Sequence, residues 1–166
     1  MTQYVDGFEG LADLFGEMEN QLFDNDFTPA MTAEIGQLQE VHRRHFENQA
    51  DPGGTPWAPL SPATVAMKGR RSGHQAAHET ILVDTGRLFE SLVVGPAVSD
   101  SDRIRDVGRL DDGAYLTFGT DVPYSIFHDT GTRRMPARVH VGMSSEDVDA
   151  MTGRLADAAV VALKGN

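Results

Sequence analysis

The sequence predicts an α+β fold: N-terminal helices, a small antiparallel sheet with a hairpin, and a C-terminal helix packed on the sheet. Three observations predict it. Apolar residues recur at helical spacing near both ends of the chain, as in Met31, Ile35, Leu38 and Phe46, and again in Val148, Met151, Leu155, Ala159 and Leu163. Asp111-Asp112-Gly113 stands as a turn signal between two strand-like runs. The stretch 51–62 holds four of the eight prolines and the only tryptophan, so neither helix nor central strand crosses it. At 166 residues the chain is long enough for one domain with a real core.

The elements follow in order. Tyr4, Phe8, Leu11, Phe15, Met18 and Leu22 step by four and three, which predicts an amphipathic helix over 4–23. Its opposite face carries Asp6, Glu9, Asp13, Glu17 and Glu19, so 1–27 reads as an acidic appendage to a core domain at 28–166. Such a stripe needs a partner surface, in the protein's own core or on another subunit. Thr28-Pro29 is expected to cap and open a second helix running to about Asn48. In Asp51–Pro62, an ordered loop is expected to bury Trp57. Ser61-Pro62 opens a short helix ending near Lys68-Gly69, and Gly69–Thr80 reads as a polar surface loop. A short helix around Thr85–Leu92 leads to a strand at about Leu92–Val98. Arg103–Leu110 and Ala114–Gly119 form the hairpin, and Pro123–His128 makes one helical turn. Arg138–Gly142 alternates and reads as a strand, and Ser144 with Asp147 caps the last helix.

Charge restricts the function classes. The net charge is −11, and residues 1–40 hold nine acidic side chains and no basic one. An arm that grips phosphates is rich in Lys and Arg, so this is not a basic nucleic-acid-binding domain. With no cysteine, disulfides, thiol catalysis and Cys-based metal sites are excluded. Neither a secretory signal nor a membrane-spanning apolar run is read in the sequence, so a product made in a cytoplasm is expected.

Catalytic and ligand motifs were each weighed. Asp-Thr-Gly occurs twice, at Asp84-Thr85-Gly86 and Asp129-Thr130-Gly131. Aspartic proteases use that triplet in pairs, with two carboxylates sharing a proton. Here Arg87 follows the first copy, His128 precedes the second, and the copies are too close for one β-lobe each. Both are therefore expected to be caps or turns with glycine at positive φ. His74/His78 and His42/His45 lack a third ligand, so no metal is expected, and no phosphate-binding or nucleophile-elbow motif is present. Neither cofactor nor catalytic residue is assigned. The basic clusters Arg43-Arg44, Arg70-Arg71, Arg103/Arg105/Arg109 and Arg133-Arg134/Arg138 have acidic neighbours and no interleaved aromatics, which suits salt bridges or subunit contacts better than DNA.

Across 46–148 the order of signals resembles the phage virion morphogenesis family, the tail completion or neck proteins of contractile-tailed phages. The resemblance rests on four blocks. They are Phe46 with Asp51-Pro52-Gly53-Gly54 and Trp57–Thr64; Ile81-Leu82 with Asp84–Leu88 and Ser91-Leu92; Gly119-Thr120 with Pro123-Tyr124, Ile126, His128 and Gly131; and Pro136-Ala137-Arg138 with Gly142. Two positions depart from it: Ser125 stands where alanine is usual, and Val139-His140 where Pro-Phe is usual. Residues 1–25 have no clear counterpart in these blocks, which suggests a local addition. The resemblance implies a non-enzymatic virion protein made in the host bacterial cytoplasm. It implies a ring, typically a hexamer, that closes the tail tube, docks to the head connector and surrounds the DNA channel without binding DNA specifically. An adaptor or chaperone that leaves after assembly is the alternative, and an aspartic-protease-like enzyme a more remote one. A ring protein needs subunit interfaces anchored by aromatic and Arg residues, here Trp57, Tyr124, Phe127, Arg133, Arg134 and Arg138. Asp111 and Asp112 are candidates to face the channel or the outer rim.

Overall fold

The structure, a computed structural model, describes residues 26–72, 80–93, 100–110 and 113–164. The first element, α1 (Thr28–Asn48), starts where Pro29 falls in its first turn, a position that wastes no amide donor. Thr28 does not cap it as expected: Asp26 Oδ1 accepts both the Thr28 amide and the Thr28 hydroxyl, because the carboxylate sits two residues upstream and bonds both donors. At the other end Gln49 turns left-handed at φ 49°. Its side-chain carbonyl then accepts the Ile81 amide and its backbone carbonyl the Trp57 amide.

Helix α2 (Pro62–Ser72) is opened by Ser61, whose hydroxyl accepts the Thr64 amide at 3.1 Å. It runs to Ser72, past the Lys68-Gly69 end read from the sequence. Lys68 reaches across to donate to the carbonyls of Thr80 and Val83, and so fastens the 80–83 turn to the helix. Helix α3 (Arg87–Leu92) starts at Gly86, φ 88°, inside the first Asp-Thr-Gly. The strand read at about Leu92–Val98 is not seen where the chain is described: Leu92 closes α3, and 94–99 lie outside the described residues.

Strands β1 (Arg103–Leu110) and β2 (Gly113–Thr120) pair antiparallel, Arg103 opposite Thr120 and Leu110 opposite Gly113. Gly108 stands opposite Tyr115, and a Cβ there would lie 2.6 Å from the Tyr115 ring, so the aromatic covers the bare glycine backbone. A lone two-stranded hairpin is marginal in water. Arg105 holds this one to α3 by donating to the Ser91, Leu92, Ile104 and Gly119 carbonyls while stacking 3.8 Å above the Phe118 ring. Burial pushes its pKa down to about 10.

Helix α4 (Ser125–Thr130) follows, then an irregular stretch and α5 (Ser145–Lys164). The Ser144 hydroxyl accepts the Asp147 amide and donates to its carboxylate, the reciprocal cap expected there. The pairs Arg44–Asp147 and Arg154–Glu34 lay α5 antiparallel along α1. The Arg138–Gly142 strand is not formed. Arg138 and His140 are buried while Val139 is exposed, so the alternation is real. Among the described residues no neighbouring strand takes up the backbone groups of this stretch: the Arg138 amide donates to the His128 carbonyl, and the Val139 carbonyl and the His140 amide bond to side chains.

The core gathers Phe46, Trp57, Ile81, Leu88, Leu92 and Val122, drawn from the end of α1, the Pro/Trp loop, the 80–83 turn, α3 and the segment after β2. Phe46 is its centre, edge-on to Trp57 at 5.6 Å and to Phe89 at 5.2 Å. Phe46→Ala should cost about 3–5 kcal/mol, read as a lower urea midpoint by Trp57 fluorescence. A loss below about 1 kcal/mol would mean that the core lies elsewhere.

Candidate functional site

The Pro/Trp loop and the stretch 136–142 are irregular, so their backbone groups need donors and acceptors from side chains. Trp57 Nε1 donates to the Val139 carbonyl at 2.8 Å. Arg138 donates through Nε to Ala58 O at 2.9 Å and through Nη2 to Pro59 O at 3.1 Å. Each stretch thus sends one side chain into the other. Both residues are buried within one protomer, so they brace the neighbouring surface from inside.

His140, with no exposed surface, is the other fixed point. Its backbone amide and Nδ1 both lie 2.9 Å from Asp129 Oδ1, and its Nε2 lies 2.9 Å from the Ser125 hydroxyl. Burial works against ionising Asp129, but the bonds from the His140 ring and amide outweigh it and hold the carboxyl below its usual range. Serine, imidazole and carboxylate in a row are also the order of an acyl-transfer relay. Ser125 is only 7% exposed, and its hydroxyl joins α4 to the 136–142 stretch. The trio therefore acts as a pin. Sequence reading marked two of its members without joining them: Ser125 and His140 both fall at departures from the family pattern, and here they bond each other. A hydroxyl answers a ring nitrogen where alanine would face phenylalanine.

The first Asp-Thr-Gly is a turn that leads into α3, and the second is the end of α4, with Asp129 and Thr130 its last residues and Gly131 its cap. Thr85 Oγ1 accepts the Arg87 amide, and Gly131, φ 71°, ends α4. A Cβ on Gly131 would lie 2.7 Å from Ala137 N, so only glycine lets the chain fold back there. Asp84 and Asp129 line different cavities.

The surface carried by this framework is one short stretch. Phe127 is 55% exposed and Tyr124 38%, and Ile126 beside them is exposed as well. Tyr124 and His128 form one wall of a cavity of about 350 Å³, with Met67, Leu82 and Leu88 opposite. Arg133 and Arg134 stand exposed at the tip of a turn closed by two hydrogen bonds between Thr132 and Met135. Of the six residues expected to anchor an interface, then, Trp57 and Arg138 lie inside and the other four lie outside within 124–134. Asp111 and Asp112 lie outside the described residues. Among the described residues there is no group of three or more metal-ligating side chains, and no helix is long and apolar enough to cross a membrane.

His42 supports the same framework from α1. Its Nδ1 donates to Leu38 O at 2.6 Å and its Nε2 accepts the Gly142 amide at 3.4 Å, which requires the neutral ring. Burial pushes its pKa down to about 4, and lowers those of His45 and His128 for the same reason.

A sequence model of the phage virion morphogenesis family matches residues 7–159. The match begins inside the acidic N-terminal stretch, which the motif blocks had left out. No curated protein and no solved structure matches the chain.

Two outcomes are expected. The unfolded chain takes up a proton on His42 below about pH 6.5, whereas the folded chain does so only near 4. Stability present above pH 6.5 is therefore lost as pH falls through that window, by up to about 3 kcal/mol from this group. Urea midpoints between pH 7 and 4.5 should fall in the wild type and fall less steeply in His42→Gln; parallel slopes would reject the assignment. Second, Ser125→Ala should cost about 1–3 kcal/mol by orphaning a buried ring nitrogen. Ser125→Ala/His140→Phe should be more stable than the sum of its single changes, because the pair is replaced as a unit. Labelling of Ser125 by a fluorophosphonate in the folded protein would instead reassign the trio to acyl transfer.

Proposed function

The chain belongs to the phage virion morphogenesis family, and on that premise we propose that it is the ring-forming neck or tail completion protein of a tailed phage. Membership makes it a virion structural or assembly protein. The finer reading follows what the resemblance of the motif blocks implies, and the exposed stretch 124–134 supports it. Three large apolar side chains and two arginines on a braced surface are the groups that anchor protein interfaces. They offer little to a small substrate.

In this reading the chain assembles into a ring, a hexamer by preference, that closes the tail tube, meets the head connector and leaves a channel for DNA. A six-membered ring would carry −66 from −11 per copy, a field that repels phosphate and favours passage over binding. Asp111 and Asp112 face the channel or the rim.

Native mass spectrometry of the purified chain and electron microscopy of virions test this. The expected outcome is a closed oligomer, with the protein present in mature particles between tail and head. A monomer absent from purified virions would overturn the proposal, and presence only in assembly intermediates would make the chain a transient adaptor.

A further inference from the structure

The exposed stretch 124–134 has a chemical complement elsewhere in the same chain. On the receiving side, Tyr124 and Met67 (60% exposed) line the 350 Å³ cavity, and the exposed Phe127 directly precedes His128, another of its lining residues. Apolar side chains grouped so closely mark a docking surface. Arg133 and Arg134 follow on the next turn, and among the described residues neither guanidinium has a hydrogen bond or an ion pair. Two unneutralised cations on a rigid tip are unusual in a chain of net charge −11.

On the donating side, residues 1–25 hold six acidic side chains and no basic one, with the apolar stripe Tyr4, Phe8, Leu11, Phe15, Met18 and Leu22. Of the acidic residues read on the opposite face, Glu19 stands nearest the stripe: at about 100° per residue it falls at the stripe's edge, where it can meet a cation flanking an apolar seat. The stretch is rooted at the start of α1. That helix has 21 residues, about 31 Å of rise, and it delivers Phe46 to the core at its far end. The cavity is built on that same core, through Leu88. The acidic stretch is thus joined at the end of α1 remote from Phe46, and its docking on another copy would be the heterologous kind of contact that closes a ring.

We propose that the face formed by the Met67/Tyr124/Phe127 cavity mouth and the Arg133-Arg134 turn receives the acidic amphipathic stretch 4–22 of a neighbouring copy. The contact rests on the ring reading and names the pair of surfaces that would close the ring. The apolar stripe enters the cavity mouth, and Glu19 at its edge meets the arginines.

A charge swap on the full chain tests it. Arg133→Glu/Arg134→Glu should weaken self-association by about tenfold or more, and Glu19→Lys should weaken it too. The two changes together should restore assembly, and Phe127→Ala should weaken it without being rescued by either. Phe127, Arg133 and Arg134 are exposed, and unchanged circular dichroism and thermal midpoints would confirm folding of every variant. A wild-type ring that persists unchanged in both charge variants overturns this contact and leaves the ring intact. So does a charge-reversed pair that fails to restore assembly. A wild-type chain that stays monomeric at all concentrations overturns the ring as well.

Discussion

Satisfying irregular backbone with buried side chains is the constraint on which this fold depends. The stretch 136–142 crosses the interior without a neighbouring strand, so its amides and carbonyls cannot be paired in a ladder. Trp57 supplies a donor to Val139 O, Asp129 an acceptor to the His140 amide, and His42 an acceptor to the Gly142 amide. In return Arg138 satisfies two carbonyls of the Pro-rich loop. Prolines 56 and 59 cannot donate, so that loop presents carbonyls in excess, and a guanidinium with its fan of donors suits it. Removing any one of these groups leaves a buried partner unmet, which costs more than the bond itself contributes.

The hairpin depends on the same device. Arg105 gathers the last carbonyls of α3 and a carbonyl from each strand onto one guanidinium, closing a helix end and fixing the hairpin above it. Phe118, under that guanidinium, also meets the His42 ring at 4.9 Å. A chain of polar and aromatic contacts therefore runs from β1 through α1 to the 136–142 stretch. It replaces the broad sheet that would otherwise carry such a domain, and it explains why three imidazoles and two guanidiniums lie in so small an interior.

This arrangement also decides what could be read from the sequence. Helices α1 and α5 were legible because apolar spacing of three and four reports a buried face directly. Asp111-Asp112-Gly113 announced the hairpin, and Ser144 with Asp147 the last cap, because turn and cap chemistry is local. The four family blocks were legible too, since they consist of glycines, prolines and core residues in a fixed order. What was not legible depends on pairing at long range. The alternation at Arg138–His140 reports two-sided burial, and without knowledge of neighbours it reads as a strand. Arg138 and Trp57 looked like surface anchors because their residue types suit interfaces, yet each meets a carbonyl about 80 positions away. Ser125 and His140 stood out singly, and only their distance shows that they answer each other.

The stretch 124–140 is then best understood as a strip with two sides. Ser125, Asp129, Arg138 and His140 turn inward and lock it; Tyr124, Ile126, Phe127, Arg133 and Arg134 turn outward. A heterologous contact needs two different surfaces on one chain, one rigid and one complementary to it. Rigidity matters because ordering a loop at the moment of contact subtracts from affinity. The inward half of the strip removes that cost in advance. Gly131 and the Thr132–Met135 bonds hold the arginine tip before any partner arrives. Nine of the eleven net negative charges fall in residues 1–40, far in sequence from the exposed Arg133 and Arg134, so one chain carries a strongly acidic segment and, on a braced strip, a pair of exposed cations.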